Sequence, residues 1–231
     1  MIATENLDLY AKIEPLIGFD AAYEALYQRY LELLAPFEMQ SILDVGCGNG
    51  NFLLHLQKKY QAMGIDLSPR MVAIARAKGV EVYNKQLAKV EETFDAVVAV
   101  GDVLNYLRQD ELKAFLFHVA RVLNDGGVFI CDVNTLHGFE EVTAGSMSAD
   151  FGDQFLSIDS EYLDGILTTE MTLFEQIAGE CFHKEQDSIL QFYHDRKRVE
   201  DLTPLKHLFT QEITIFSEES DKLICAFQKA S

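Results

Sequence analysis

No run of about 18 apolar residues occurs in the 231-residue chain, so no membrane-spanning helix is expected. The opening MIATENLDLY lacks the basic segment and apolar stretch of a signal peptide, which points to a cytoplasmic protein. Tryptophan is absent, leaving Phe and Tyr as the aromatics available to a core. Cysteine is sparse. Cys47, Cys131, Cys181 and Cys225 lie far apart without a CxxC pair. That spacing argues against a zinc or iron–sulfur site, and scattered free thiols suit a reducing compartment. Positive charge is also short: 19 Lys and Arg face 37 Asp and Glu, a formal net charge of -18. Such a surface repels phosphate backbones, so no nucleic-acid partner is expected. The basic cluster Arg196, Lys197 and Arg198 sits beside Asp195, Glu200 and Asp201 and reads as a solvated helix face.

What is present is a chain able to bury a normal core, with 48% hydrophobic residues. The length suits one sizeable α/β domain with an elaboration, or two small ones. From Asn6 to Ala35 the pattern is helical, with Tyr23, Leu26, Tyr27, Tyr30 and Leu34 on one stripe. Pro36 ends it. From Ser41 short apolar runs alternate with helical segments. Strands are expected at Ser41 to Val45, up to Asp66, at Val80 to Tyr83, at Phe94 to Val100 and at Val128 to Val133. The first helix of this series should run to about Tyr60, and another should span Asp110 to Leu123. Ser68-Pro69 marks a helix start, with Ser as N-cap and Pro at the first position. Alternation of this kind implies a parallel sheet wound on both faces by right-handed crossovers.

After about Leu136 the alternation stops. Gln154 to Tyr162, Ile166 to Ile177 and Cys181 to Tyr193 read as hairpin strands joined by Asp-Gly and Gly-Glu turns. Helical residues return near Asp195 to Leu205. Strand-like runs at Glu212 to Phe216 and Lys222 to Phe227 close the chain. The expected architecture is therefore α/β: a Rossmann-like, doubly wound sheet, mostly parallel with a C-terminal antiparallel hairpin, plus an antiparallel β insert acting as a lid. Three parts follow: helical flap and cofactor core at 1–134, insert at 135–205, and final strands at 206–231.

The segment Ile42-Leu43-Asp44-Val45-Gly46-Cys47-Gly48-Asn49-Gly50 carries the chemistry. A glycine loop between strand and helix lets a ligand approach the backbone at the carboxyl edge of the sheet. Its spacing is GxGxG rather than the GxGxxG of dinucleotide-binding folds. Asp44 at that mouth opposes a pyrophosphate and suits a cationic ammonium. Asp66, ending the next strand, is placed to accept both ribose hydroxyls. Adenosine with a cationic amino-acid tail describes S-adenosylmethionine.

ILDVGCGNG resembles the first motif of the class I S-adenosylmethionine-dependent methyltransferases, and MGIDLSPRMVAIAR their second. FDAVVAVGDVLNYL and RVLNDGGVFICDV are similar to their fourth and fifth strands. The resemblance runs from about Ser41 to Val133. It implies that Gly46, Cys47, Gly48 and Gly50 line the methionyl part of the cofactor, with Asp44 near the ammonium and Asp66 on the ribose. It implies Leu67 and Met71 around the adenine, and Val100 and Gly101 beside the methionyl part. Relatives carry an acid after the third strand, whereas this chain has Asn84-Lys85-Gln86-Leu87; Gln86 is the substitute contact. The N-terminal helices resemble a flap that covers the cofactor, with Tyr10 and Tyr23 as lining candidates.

The insert from Thr135 to Leu205 is the expected acceptor lid, as in relatives that methylate small molecules. Three residues are candidates for proton transfer to or from the acceptor: His183, whose strand face also carries Glu185 and Asp187, and Asp102 and Tyr106 after the fourth strand. Asn105, Asp132 and Asn134 share that sheet edge. A metal site at His183 is possible in principle, yet none is expected. The expected enzyme is thus a methyltransferase acting on a small molecule. The alternatives are an RNA or protein methyltransferase, a regulatory protein that binds the cofactor without turnover, and a nicotinamide-dependent enzyme, which Asp44 and the glycine spacing disfavour.

Overall fold

The computed structural model describes residues 7–231, so the expected helix start at Asn6 lies outside the described residues. Two helices open the chain, α1 (Leu7–Ile17) and α2 (Asp20–Leu34). Leu26, Tyr30 and Leu34 of α2 recur every four residues and are fully buried, which fixes the helix on the sheet. Then come β1 (Ser41–Val45), α3 (Asn51–Leu56), β2 (Gln61–Asp66), α4 (Pro69–Ala77), β3 (Val82–Asn84), β4 (Phe94–Ala99), α5 (Gln109–Val122) and β5 (Leu123–Asn134). The Ser68 hydroxyl accepts the Met71 N–H at 3.1 Å, capping α4 with Pro69 in its first turn. Beyond β5 lie β6 (Gly145–Asp150), β7 (Gln154–Leu163), β8 (Ile166–Ala178), β9 (Cys181–Phe192), α6 (Arg196–Leu202), β10 (Lys206–Ile213) and β11 (Lys222–Gln228).

The strands form a seven-stranded sheet in the order β10-β11-β5-β4-β1-β2-β3 and a four-stranded sheet in the order β6-β7-β8-β9. In the first, β1 to β5 are parallel, while β11 runs antiparallel to both β5 and β10. The second is an antiparallel meander. The expected fold class is the one observed. Strand order reverses between β1 and β4, and a ligand crevice belongs at the carboxyl ends of those strands. Leu9 and Ile13 of α1 pack against Leu156, Met171, Leu173 and Ile189 of the second sheet. Lys12 adds ion pairs to Glu175 at 2.8 Å and to Glu185. The first helix and the insert therefore close over the crevice as one packed unit.

Several expected elements shift. The helix after the glycine loop ends at Leu56 rather than near Tyr60, and the third strand is Val82–Asn84, later than Val80 to Tyr83. The strand expected at Glu212 to Phe216 is β10, Lys206–Ile213, because its partner β11 pairs Lys206 with Gln228 and Ile213 with Lys222. The residues beyond it turn instead: Asp221 accepts backbone N–H groups from Ile215, Phe216 and Ser217, which stops the strand. Strand β6 was not anticipated; its sequence GSMSAD is almost wholly exposed and carries no apolar alternation. Among the described residues, no helix is long and apolar enough to cross a membrane.

Candidate active site

Strand β1 delivers the chain into the glycine loop at the carboxyl edge of the sheet. The N–H groups of Gly46 and Cys47 both donate to the Ile65 carbonyl, at 2.8 and 3.1 Å, which pins the loop to β2. Gly46 has φ 71°, and a Cβ there would stand 2.8 Å from Val103 Cγ2. Only glycine fits. Gly48 also has positive φ, but a Cβ on it would meet nothing within 4 Å, so its bare backbone faces open space. Asp66 sits at the end of β2, with Oδ2 accepting the Gly48 N–H at 2.9 Å and Oδ1 the Ser68 N–H at 2.8 Å. Burial raises its proton affinity, and those two N–H groups act in the opposite direction.

A cavity of about 380 Å³ opens over this loop. It brings together Tyr23, Gly46, Cys47, Gly48, Asp66, Leu67, Met71, Gln86, Val100, Gly101 and Tyr106. Asn84 does not reach it as a ligand contact, because its amide donates to the carbonyls of Asp66 and Leu67 at 3.0 and 2.9 Å. Gly50 stands behind the loop, packed toward Ala75 and Val80 at the start of α3. Asp44 lies beneath the cavity, 1% exposed, and its Oδ2 is buried without a hydrogen-bond partner. Burial first, and then Asp66, push its pKa up to about 8. A carboxylate buried next to a second acid, with one oxygen orphaned, is a site short of a cation or donor. Together with the open backbone at Gly48, it fits a ligand that carries an ammonium group.

A second cavity, of about 420 Å³, lies between the seven-stranded edge and the four-stranded sheet. Ile158, Ser160, Leu167, Thr169, Met171, Ile189 and Gln191 of β7, β8 and β9 form its roof, and Asp102, Tyr106 and Asn134 form its floor. Tyr10, Tyr23 and Tyr106 border both cavities, so the two meet at a tyrosine collar. Burial raises the pKa of Tyr10 to about 12, with Glu14 adding to it. Neighbouring Tyr10 and burial raise Tyr23, and burial raises Tyr106. All three phenols keep their protons at neutral pH and act as donors, not bases.

Asp102 has φ 66°, a left-handed conformation that Asp tolerates better than most residues. Asp132 holds it there: its carboxylate accepts the N–H groups of Gly101 at 2.9 Å and Asp102 at 3.1 Å, and the Tyr30 hydroxyl at 2.7 Å. Lys222, 1% exposed, reaches into the same cluster. Its ammonium donates to Asp102, to Asp132 at 3.2 Å and to Asn134 at 2.8 Å. Burial raises the pKa of Asp102, against the pull of Lys222. Asn105 is spent on structure, donating to the Phe192 carbonyl at 2.9 Å and accepting the Asn134 N–H at 3.0 Å. His183 borders neither cavity. It lies near the β8–β9 turn opposite Glu175, with its side chain 60% exposed. Glu185, on the same strand face, is occupied by Lys12.

Sequence reasoning missed Lys222 and Asp221, both 1% exposed, and the wall that α5 gives the first cavity through Phe115 and His118. Lys222 opens an apolar run, KLICAF, and reads locally as a strand-end lysine; only the pairing of β11 with β5, which sets it opposite Asn134, brings its ammonium to Asp132.

Residues 42–127 match the family model described as Methyltransferase domain. The chain is 31% identical over 134 residues to dTDP-4-amino-2,3,4,6-tetradeoxy-D-glucose N,N-dimethyltransferase of Saccharopolyspora spinosa, covering 55% of this chain and 54% of that one. Over 89 residues it is 32% identical to a Bos taurus protein with a tRNA methyltransferase name, of which it covers 19%. The chain spans a little over half the length of the first curated relatives it matches. In fold it is similar to a solved S-adenosylmethionine-dependent methyltransferase of Clostridium acetobutylicum, with a TM-score of 0.80, 20% identity, and 96% and 98% of the two chains covered.

Proposed function

We propose that the chain is a class I S-adenosylmethionine-dependent methyltransferase, a reading supported by the methyltransferase-domain match over residues 42–127 and by the shared fold, and that it moves a methyl group from that cofactor to a small molecule held under the four-stranded sheet. The observation that carries this reading is the tyrosine collar, through which the glycine-loop cavity meets the second one. When bound, S-adenosylmethionine supplies a methyl group on a sulfonium, open to in-line displacement by a lone pair. The chain's part is to hold two partners in line and to exclude water, which is where much of the acceleration of such a reaction arises. Asp44 would take the ammonium, Asp66 the ribose, and Leu67, Met71 and Gln86 the adenine end. The second cavity is roofed by the four-stranded sheet, which α1 fastens through Lys12, and this suits a small acceptor better than a long polymer.

The deciding experiment incubates the protein with methyl-labelled cofactor and metabolite pools, then identifies labelled products by mass spectrometry. Labelled small molecules support the reading; label only in RNA or protein overturns it. S-adenosylhomocysteine should bind in the micromolar range, about -8 kcal/mol. Asp66→Ala should weaken that binding by roughly 1.5–3 kcal/mol, as charge-assisted hydrogen bonds are lost. Calorimetry reads both values, and equal affinity in the two proteins removes Asp66 from the ribose. With a net charge of -18, generic RNA should give no gel shift at physiological salt.

A further inference from the structure

The floor of the second cavity is one positive charge short. Lys222 stands against two carboxylates, Asp102 and Asp132, in a cluster shut off from water on the Lys222 and Asp132 side. Asp132 is surrounded by its own donors, Tyr30, Gly101, Asp102 and Lys222. Asp102 is the member that also borders the cavity. Asp221 borders it too, but its oxygens already face the N–H groups of the 215–217 turn. Among the described residues, no Lys, Arg or His side chain lines this cavity. A phosphate or carboxylate brought here would meet acid and apolar wall with no counter-charge.

Resting on the methyl-transfer reading above, we infer that the acceptor is a small amine without phosphate or carboxylate groups, bound as its ammonium against Asp102 in the cavity under the four-stranded sheet. Lys222 and Asp132 are its positioning residues, since they act through Asp102. The chemistry balances. The ammonium gives one proton to the Asp102 carboxylate, and burial favours that transfer by raising the proton affinity of Asp102. The freed nitrogen lone pair forms the bond to the methyl carbon as the carbon–sulfur bond breaks, leaving its electron pair on sulfur. The product departs as an N-methylammonium ion, and Asp102 passes its proton to water. As the new bond forms, positive charge builds on the nitrogen, and the Asp102 carboxyl oxygen beside it accepts a hydrogen bond from the remaining N–H. Ser160, Thr169 and Gln191 in the roof offer hydrogen bonds to hydroxyls on the body of the acceptor, and Ile158, Leu167 and Met171 take its apolar face. The Saccharopolyspora relative is named for a nucleotide-linked amino sugar. Among the described residues, no basic side chain lines the cavity to meet the diphosphate of such a substrate.

The test uses the full chain saturated with S-adenosylhomocysteine, whose binding is first verified by calorimetry. Benzylammonium, benzyl alcohol and benzyl phosphate are then titrated and followed by ligand-observed NMR. Benzylammonium should bind at least tenfold tighter than the alcohol, and the phosphate more weakly than either. Asp102→Asn should erase the preference for the cation and leave S-adenosylhomocysteine affinity within twofold, since Asp102 does not line the glycine-loop cavity. A wild-type protein that binds S-adenosylhomocysteine but shows no preference for benzylammonium, through equal binding or none, overturns the inference alone. So does tighter binding of the phosphate. Failure to bind S-adenosylhomocysteine at all instead defeats the methyl-transfer reading.

Discussion

Lys222→Met is expected to destabilise the folded protein by about 3–5 kcal/mol, the usual consequence of removing one partner from a buried ion pair. The lysine is 1% exposed, and its ammonium stands between Asp102, Asp132 and Asn134. Methionine fills similar volume but leaves two carboxylates facing each other behind the cavity floor. For a chain of this size the loss corresponds to a melting-temperature drop of roughly 6–20 °C. Burial alone would lower the lysine pKa; Asp102 and Asp132 outweigh it and hold the pKa above the ordinary value. A base whose folded pKa is raised gives its full stabilisation below its unfolded pKa and loses it only as pH rises through the folded one. The lysine's own contribution in the wild-type protein is therefore constant from pH 6 to 9. The deficit of the variant should shrink in acid, where its stranded carboxylates take up protons. Melts of the two proteins across this range measure it, and a second change, Asp132→Asn, should restore part of the loss because the two sites are directly coupled. A deficit under about 1 kcal/mol at pH 7 would mean the cluster is not the electrostatic unit described here.

What the sequence disclosed and what it hid follow one physical division. Strand β1, the glycine loop and Asp66 are legible because each signal is local: a buried run, residues that permit positive φ, and an acid where the next strand ends. The hairpins of the second sheet were legible for the same reason, since strand alternation and Asp-Gly turns lie close together along the chain. Their register was not. Alternation puts His183, Glu185 and Asp187 on one face of β9, but the pairing of His183 with Glu175 carries that end of the strand away from the cavities. Lys222 and Asp132 are separated by 90 positions and meet only after β11 has docked beside β5. A buried lysine leaves no mark in its own segment, because its burial is decided by charges from another. The floor of the second cavity, built from β5, β11 and the segment after β4, is therefore the part least visible in one dimension.

Asp44→Asn is expected to weaken S-adenosylhomocysteine binding by about 2–5 kcal/mol, the range for truncating one partner of a buried charged pair. The side chain is 1% exposed, and its Oδ2 lacks a partner beneath the glycine loop. Its pKa stands at about 8, raised by burial and then by Asp66, so the unliganded protein at pH 7 holds most of this group as the neutral acid. An ammonium-bearing ligand needs the carboxylate. Binding at pH 7 should therefore release a proton, and affinity should climb with pH until about 8, by at most tenfold per unit. Calorimetry at pH 7 in two buffers of different ionisation enthalpy counts that proton, and the Asn variant supplies the baseline for protons lost by the ligand itself. Stability has a linked sign. An acid whose folded pKa is raised favours the folded state at low pH and penalises it increasingly between the unfolded value and the folded one. The melting temperature of the Asn variant relative to wild type should accordingly become more favourable from pH 5 to 8. If wild type and variant release the same number of protons on binding S-adenosylhomocysteine, Asp44 is not the group that receives the ammonium, and Glu14, which accepts a hydrogen bond from the loop residue Asn49 at 2.9 Å, becomes the carboxylate to change next.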